Sequence, residues 1–592
     1  MLTFALFVVV CASDPTPDRR VEWVRANASP IRAIEPLAGD AVDDFADLRP
    51  LQALIGDATI VGLGEATHGT REFTTLRRRI VRYLATECGF DVLALEGNFA
   101  EGERLFELVR GAPGSLNDAT RDLAFWCWTT RELEAVFEDA RARTASGAPL
   151  DVVGIDMQLP RASIDHVLGF LATHDVALEA RVRALYATAQ QSAIQHGTVC
   201  CALPIDAMGG ATLRISAWLR TEDVGAGDVQ LFARADGPSG FLARGTMEPE
   251  FAGGSRPFTQ VSVLIGLPDP TTRVQFGVIL RGGRGKVWID DIGVEADGRA
   301  MPLPFDASFE PGVEPGVEPV VESASAPPSA PAADVPTSSL AAWSSALAGR
   351  TPSARHAFAI DDRVARSGTH SLCVSAIDGA EPPTPEQARD AATTALKAIE
   401  VGLSTTTEAA AARALRHARV VVQGFTWAAD ETRASREVAM ADNLAWWREQ
   451  LGPGTKVIVW AHNGHIARSP DALGDVLARR FGSDYVAIAP TTGRGRYRAE
   501  APLGIDVFDL ATPPRASIEA TLLRSGASAC LLDLRRARTD AAAAWLLEER
   551  PFRFIGTEGT DDQFQPMVLP DAFDGVLWIA DTTPTTPLGA GP

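Results

Sequence analysis

The chain has 592 residues, too many for one ordinary domain and enough for three or four. Apolar residues make up 46% and charged residues 22%, near the globular average, so a large core can form. The net charge of −21, with no compact Lys/Arg cluster to offset it, argues against nucleic acid or an anionic membrane as the main partner.

Leu2 to Ala12 is apolar and is followed by Ser13-Asp14-Pro15. The run is too short to span a bilayer. It resembles the end of a secretory signal without the usual basic residues, and Val8-Val9-Val10-Cys11 resembles a lipoprotein processing site with a bulky Val10. Residues 1–20 are therefore read as a signal or lipoprotein segment. Export is the expectation, as a periplasmic, lipid-anchored or secreted protein; the alternative is an irregular N-terminus on a cytoplasmic one. No later segment reads as a transmembrane helix. The seven cysteines contain no CxxC pair, which argues against a structural zinc site and a disulfide scaffold.

Residues 21–195 form the first part of an expected catalytic domain. Apolar runs at Thr59 to Leu63, Asp91 to Leu95 and Val152 to Ile155 alternate with helical patterns. The same texture returns in residues 381–592. Helices are expected over Gln387 to Val401, Thr407 to Trp427 and Arg433 to Gln450, and strands over Val457 to Trp460, Tyr485 to Ala489 and Val576 to Ile579. Continuous apolar strands between helices predict an α/β fold, a mainly parallel sheet flanked by helices. Ligands of such sheets bind beyond the carboxyl ends of the strands. Glu65, His68, Glu96, Asp156 and His462 all fall just past predicted strand ends.

Residues 196–380 read differently. Leu213, Ile215, Ala217 and Leu219 alternate with Arg214, Ser216, Trp218 and Arg220, the period of a half-buried strand. Similar runs separated by Gly and Pro turns predict an inserted all-β sandwich. Residues 311–339, built from Pro, Ala, Val, Glu and Ser, are expected to be a disordered linker.

The chemistry concentrates in two loops. Gly62 to Gly69 reads GLGEATHG, and Ala461 to His465 reads AHNGH. An imidazole has a lone pair near neutral pH, and an adjacent carboxylate fixes its tautomer, so His68 with Glu65 makes a general base for water. Arg71 and Arg77 follow and are candidates to stabilise an oxyanion. Each piece has a plainer reading. His462 and His465 cap a strand end, Glu96 is a salt-bridged acid, and Arg77 to Arg79 form a solvated helix face. A nucleotide loop is disfavoured because Thr67 stands where the dinucleotide fingerprint needs glycine. No Gly-x-Ser-x-Gly elbow occurs. Cys127, between two tryptophans, reads as packed, and His166, His174, His196, His356, His370 and His417 as surface or packing residues. Glu65, His68, Glu96, His462 and His465 are also competent zinc, iron or manganese ligands, so a catalytic divalent metal stays open.

These motifs resemble the erythromycin esterase family. The resemblance rests on GLGEATHGTREF (Gly62 to Phe73), LALEGN (Leu93 to Asn98), GIDMQ (Gly154 to Gln158), Arg436 with Met440 and Asn443, and WAHNGHI (Trp460 to Ile466). It implies an α/β fold with a deep cleft, and ester or lactone hydrolysis by activated water with no covalent enzyme intermediate and no required cofactor. His68 would be the base and Glu65 its partner. Glu96, Arg77, His462 and His465 would complete the pocket, with Arg71, Asn98, Asp156 and Arg436 on the substrate. The large insert puts macrolide specificity in doubt. The alternatives are a metal-dependent hydrolase built on the same cluster, or a glycan-binding surface protein with a vestigial catalytic domain.

The insert itself resembles a carbohydrate-binding jelly roll. RISAWLRTEDV and KVWIDDIGVE look like its C-terminal half, and FDASFEPG, Trp343 and RSGTHSLCV like its N-terminal half. The reversed order implies a circular permutation, which near-adjacent termini tolerate. Asp290, Asp291 and Glu310 are candidate ligands for a structural calcium, or else part of a solvated turn. Trp218 or Trp288 would stack on sugar, or pack in the core.

Overall fold

The computed structural model describes residues 18–588 apart from 37–42, 124, 194–195, 205–209, 238–239, 248–250, 268–270, 282–283, 302, 304–306, 311–342, 345–355, 377–382, 431, 433 and 502–503. The expected linker 311–339 and nearly all of the expected signal segment lie outside the described residues.

Seven strands carry the α/β part: β1 (Ile60–Leu63), β2 (Val92–Asn98), β3 (Asp151–Asp156), β4 (Val457–Trp460), β5 (Tyr485–Ala501), β6 (Ala529–Asp533) and β7 (Gly575–Thr582). They lie in the order Ser29–Pro30, β6, β7, β5, β1, β4, β2, β3, and Gly504–Asp509 pairs with the far end of β5. From β7 to β3 every pairing is parallel. The sheet is thus mainly parallel, as expected. Its antiparallel edge, β6 with Ser29–Pro30, was not foreseen.

The apolar runs are continuous because successive side chains enter two different cores. Ile60, Val92, Ala94, Val153, Val457 and Val459 face one cluster. Val61, Leu63, Leu93, Leu95, Val152, Ile458 and Trp460 face the other. Register then positions the loops. Leu63 pairs with Trp460, and Trp460 with Leu95, so β4 lies between β1 and β2 and all three strands end level. The loops carrying Glu65 and His68, Glu96, and His462 therefore emerge side by side, although nearly 400 residues of chain separate them.

The helices used below are α1 (Arg71–Glu87), α2 (Phe99–Val109), α3 (Arg161–His174), α4 (Ala409–Ala429) and α5 (Ala434–Leu451). The helix at Pro385–Gly402 starts in a capping box between Thr384 and Gln387. Along α5, Asn443 donates to the Ile155 carbonyl (2.7 Å) and Trp447 to that of Gly154 (3.1 Å), satisfying backbone acceptors of the edge strand β3. Among the described residues no helix is long and apolar enough to cross a membrane.

The described residues of 196–376 form a separate ten-stranded antiparallel sheet with its own core. Leu213, Ile215, Ala217 and Leu219 are all buried there, as their alternation predicts. The runs Leu213 to Leu219 and Val229 to Arg234, expected as separate strands, are one: Thr212–Gly237 is continuous and changes register between Leu219 and Asp228, with Asp223 at φ 51°. These irregularities bend the strand and let it pair with four others.

Candidate active site

The loop after β1 is fixed from two sides. Gly69 lies so close to the extension of β5 that a Cβ there would stand 2.0 Å from the Arg498 carbonyl oxygen, so only glycine fits. Its own carbonyl accepts from Arg498 N and Thr585 N, both at 3.0 Å. Held this way, the loop turns Glu65 back on His68, with Oε1 2.7 Å from Nδ1. Oε2 of Glu65 takes Arg77, reached from the first turns of α1, and the guanidinium lies 3.8 Å over the Trp460 ring.

Glu65 and Arg77 are buried, and His68 retains 9% exposure. Burial disfavours a charged His68 ring, but the hydrogen bond and charge of Glu65, then the charge of Glu96, hold its pKa above the ordinary histidine value. Burial likewise opposes the Glu65 carboxylate, and the charge of Arg77 with the bond to His68 brings its pKa below normal. With Nδ1 committed to Glu65, Nε2 is left, and among the described residues nothing hydrogen-bonds it.

A second network stands beside the first. One oxygen of Glu96 accepts from His462 N (2.9 Å); the other is 2.8 Å from His465 Nε2 and 3.0 Å from Arg436. His465 Nδ1 lies 2.8 Å from Glu437, a fully buried acid on α5 that also accepts from Leu473 N (3.0 Å). Both ring nitrogens of His465 thus face carboxylates. Burial opposes its charge, yet the charge of Glu96, then the hydrogen bond and charge of Glu437, raise its pKa above the ordinary histidine value and favour the imidazolium. The Glu96 carboxylate, although buried, is held well below its ordinary range by the charge of His465 and then of Arg436. Arg436 closes the chain with a two-point pair to Asp156 (2.7 and 3.2 Å).

His462 is different in kind. Its Nε2 donates to the Ile555 carbonyl (2.8 Å), and its Nδ1 accepts from Gly464 N (3.1 Å), capping the short helix that follows. Burial, then the charge of His68, push its pKa to about 3, so it is neutral. Its ring centroid lies 5.1 Å from that of His68. Ile555 also donates to the Ala66 carbonyl, so one C-terminal segment clamps both loops.

The structure therefore brings together Glu65, His68, Arg77, Glu96, His462 and His465, with Arg436 and Asp156 adjoining. Asn98 is buried next to Asp156; its Oδ1 accepts from Leu159 N, and its Nδ2 has no partner among the described residues. Arg71 stands apart. Its side chain pairs with Glu35 and lies 3.8 Å from Glu132, lining a surface cavity of about 450 Å³ with Arg78 and Arg131. Arg77 to Arg79 are not a solvated face: Arg77 and Arg79 are buried, and Arg79 pairs with Asp43 and Asp47.

Sequence reasoning missed Glu437 and Ile555. Glu437 had a signal, since it shares the buried face of α5 with Met440, Ala441 and Leu444, and an acid on an apolar stripe needs a buried partner. Ile555 acts through its backbone, which no side-chain pattern reveals.

As a metal set the cluster does not fit. His462 and His465 have both nitrogens engaged, and among the described residues no three of these five side chains bring one ligand atom each within 4.8 Å of one another. In the insert, Asp290 accepts from Arg366 N and Ser367 N, and Glu310 from Thr369 N and His370 N, each stapling a different part of one loop. Asp291 joins through the Ser367 hydroxyl at 2.6 Å. Trp288 is buried with Nε1 on Asp361, and Trp218 is covered by the Arg366 guanidinium at 4.2 Å.

The profile of the family "Erythromycin esterase" matches residues 85–202 and 327–582, more than half of the chain. The chain belongs to the erythromycin esterase family. The matched blocks carry Glu96, Asp156, Arg436, His462 and His465, and the Glu65–His68 loop precedes them. The type II erythromycin esterase of Escherichia coli is 30% identical over 166 residues, 28% of this chain and 38% of that protein. A Bacillus subtilis protein, named by inference as a hydrolase, is 28% identical over 144 residues, 24% of this chain and 30% of its own. The matched segments thus span about a third of these curated relatives. The fold of this chain is similar to that of a Bacillus cereus protein known from a crystal structure, 18% identical, with a TM-score of 0.56 over 96% of this chain and 98% of that one.

Proposed function

We propose that this family member is a hydrolase that cleaves a carboxylic ester or lactone with water activated by His68. The observation that carries the reading is the free Nε2 of a histidine whose other nitrogen is fixed on a buried, ionised Glu65. In the reaction Nε2 takes a proton from water as the water oxygen bonds to the acyl carbon. The imidazolium so formed is stabilised by Glu65. Collapse of the tetrahedral intermediate breaks the bond to the leaving oxygen, which takes the proton back from Nε2. Ester and water become acid and alcohol, and the histidine is regenerated.

Membership of the family and the names of the relatives support hydrolase chemistry. Arg436 and His465 hold the Glu96 carboxylate in place beside the base, their charges balanced by Glu96, Asp156 and Glu437. The test is a panel of simple esters and macrocyclic lactones offered to wild type and His68→Ala. Turnover of at least one member, lost in the variant with its circular dichroism unchanged, is expected. Equal turnover by both proteins would reject the reading.

A further inference from the structure

Three side chains read from the sequence as surface, packing or unremarked residues meet on the helical side of the domain. Glu103 lies on α2, His166 on α3 and His417 on α4. One ligand atom from each falls within 4.8 Å of the other two. We propose that Glu103, His166 and His417 form a binding site for a divalent transition-metal ion of the zinc class, tying together the two parts of the domain on either side of the insert.

The donor set decides the class of ion. Two imidazoles and one carboxylate suit zinc and its neighbours; calcium and magnesium take oxygen ligands throughout. Glu103 Oε2 is 2.7 Å from His417 Nε2 and 3.8 Å from His166 Nδ1. The two rings are stacked, with centroids 3.9 Å apart.

The two buried donors, His417 and Glu103, each have an outer partner of the kind that orients metal ligands. Ser163 Oγ lies 3.1 Å from His417 Nδ1, which leaves Nε2 for the ion. Arg413 donates to the far oxygen of Glu103 at 2.9 Å, which leaves Oε2. His417 and Glu103 are buried, and Phe99 packs edge-on against the His417 ring. The His166 side chain keeps 34% exposure, so it is the ligand free to turn and admit the ion. Glu103 and His166 precede the insert and His417 follows it, so the bound ion cross-links segments about 250 residues or more apart.

The experiment is a calorimetric titration of zinc chloride into the untagged, chelator-stripped full chain, with a melting curve at each end point. One tight equivalent is expected, with a rise in Tm of a few degrees. His166→Ala, at a position about one-third exposed that leaves the fold intact, should weaken binding by about 10–100-fold, and Glu103→Gln by at least as much. His174→Ala, on the same helix outside the cluster, should bind as wild type. No stoichiometric zinc binding, unchanged affinity in His166→Ala, or loss of the equivalent in His68→Ala instead would each overturn the proposal.

Discussion

Glu65 gives one carboxylate oxygen to His68 and the other to Arg77, and all three side chains are nine-tenths buried or more. Arg77 is thus the cation that makes a buried Glu65 tolerable. Arg77→Leu removes it and leaves an uncompensated charge, which costs about 3–5 kcal/mol. Urea unfolding should show that loss, and Arg77→Leu with Glu65→Gln should recover part of it. A single variant as stable as wild type would show that Glu65 is not ionised.

The second network makes a pH-dependent prediction. His465 has a raised pKa, so its contribution is fully present below the unfolded value of about 6.5 and fades as pH rises through the folded value. Glu437→Gln removes one of its two carboxylate partners. The stability gap between wild type and this variant should be largest near pH 6 and shrink at alkaline pH. A gap that is constant with pH would contradict a cationic His465.

His462 has the opposite sign. Folded it stays neutral to about pH 3, whereas unfolded it gains a proton near 6.5, so its contribution is lost as pH falls below 6.5. Carboxylates that titrate between pH 6.5 and 4.5, Glu101 and Asp290 among them, do so in both proteins and cancel in the comparison. Over that window wild type should lose stability faster than His462→Asn, as read from urea midpoints at half-unit steps of pH.

The close approach at Gly69 predicts a local lesion. Gly69→Ala drives a Cβ against the Arg498 carbonyl, and backbone on both sides cannot yield as a flexible side chain would. A loss of about 1–3 kcal/mol is expected. Activity should fall further than stability explains, because the displaced loop carries His68.

Much of this was legible in the sequence where local chemistry and periodicity agree. Strands such as Val457–Trp460 announced themselves because both faces are buried, and their ends marked Glu65, His68, Glu96 and His462. What sequence hid was pairing order. Only the position of β4 between β1 and β2 shows that the loops meet. Arg77 looked like one of three solvated arginines, since the helical period does not tell that Trp460 and Glu65 await it. His462 and His465 sit three residues apart with identical chemistry, yet one caps a helix with its pKa pushed down to about 3 and the other lies between two acids that raise its pKa. That difference comes from Ile555 and Glu437, supplied by distant chain.

The most direct test of His68 as the base is the pH dependence of kcat/KM for wild type and Glu65→Gln on an ester the protein hydrolyses. For wild type the account predicts an acid limb set by one group with a pKa above the ordinary histidine value, since the base must be neutral to act. In Glu65→Gln the charge that raises this pKa is gone and burial remains, so the limb should move to lower pH while the rate falls. An acid limb in the same place in both proteins would contradict the account.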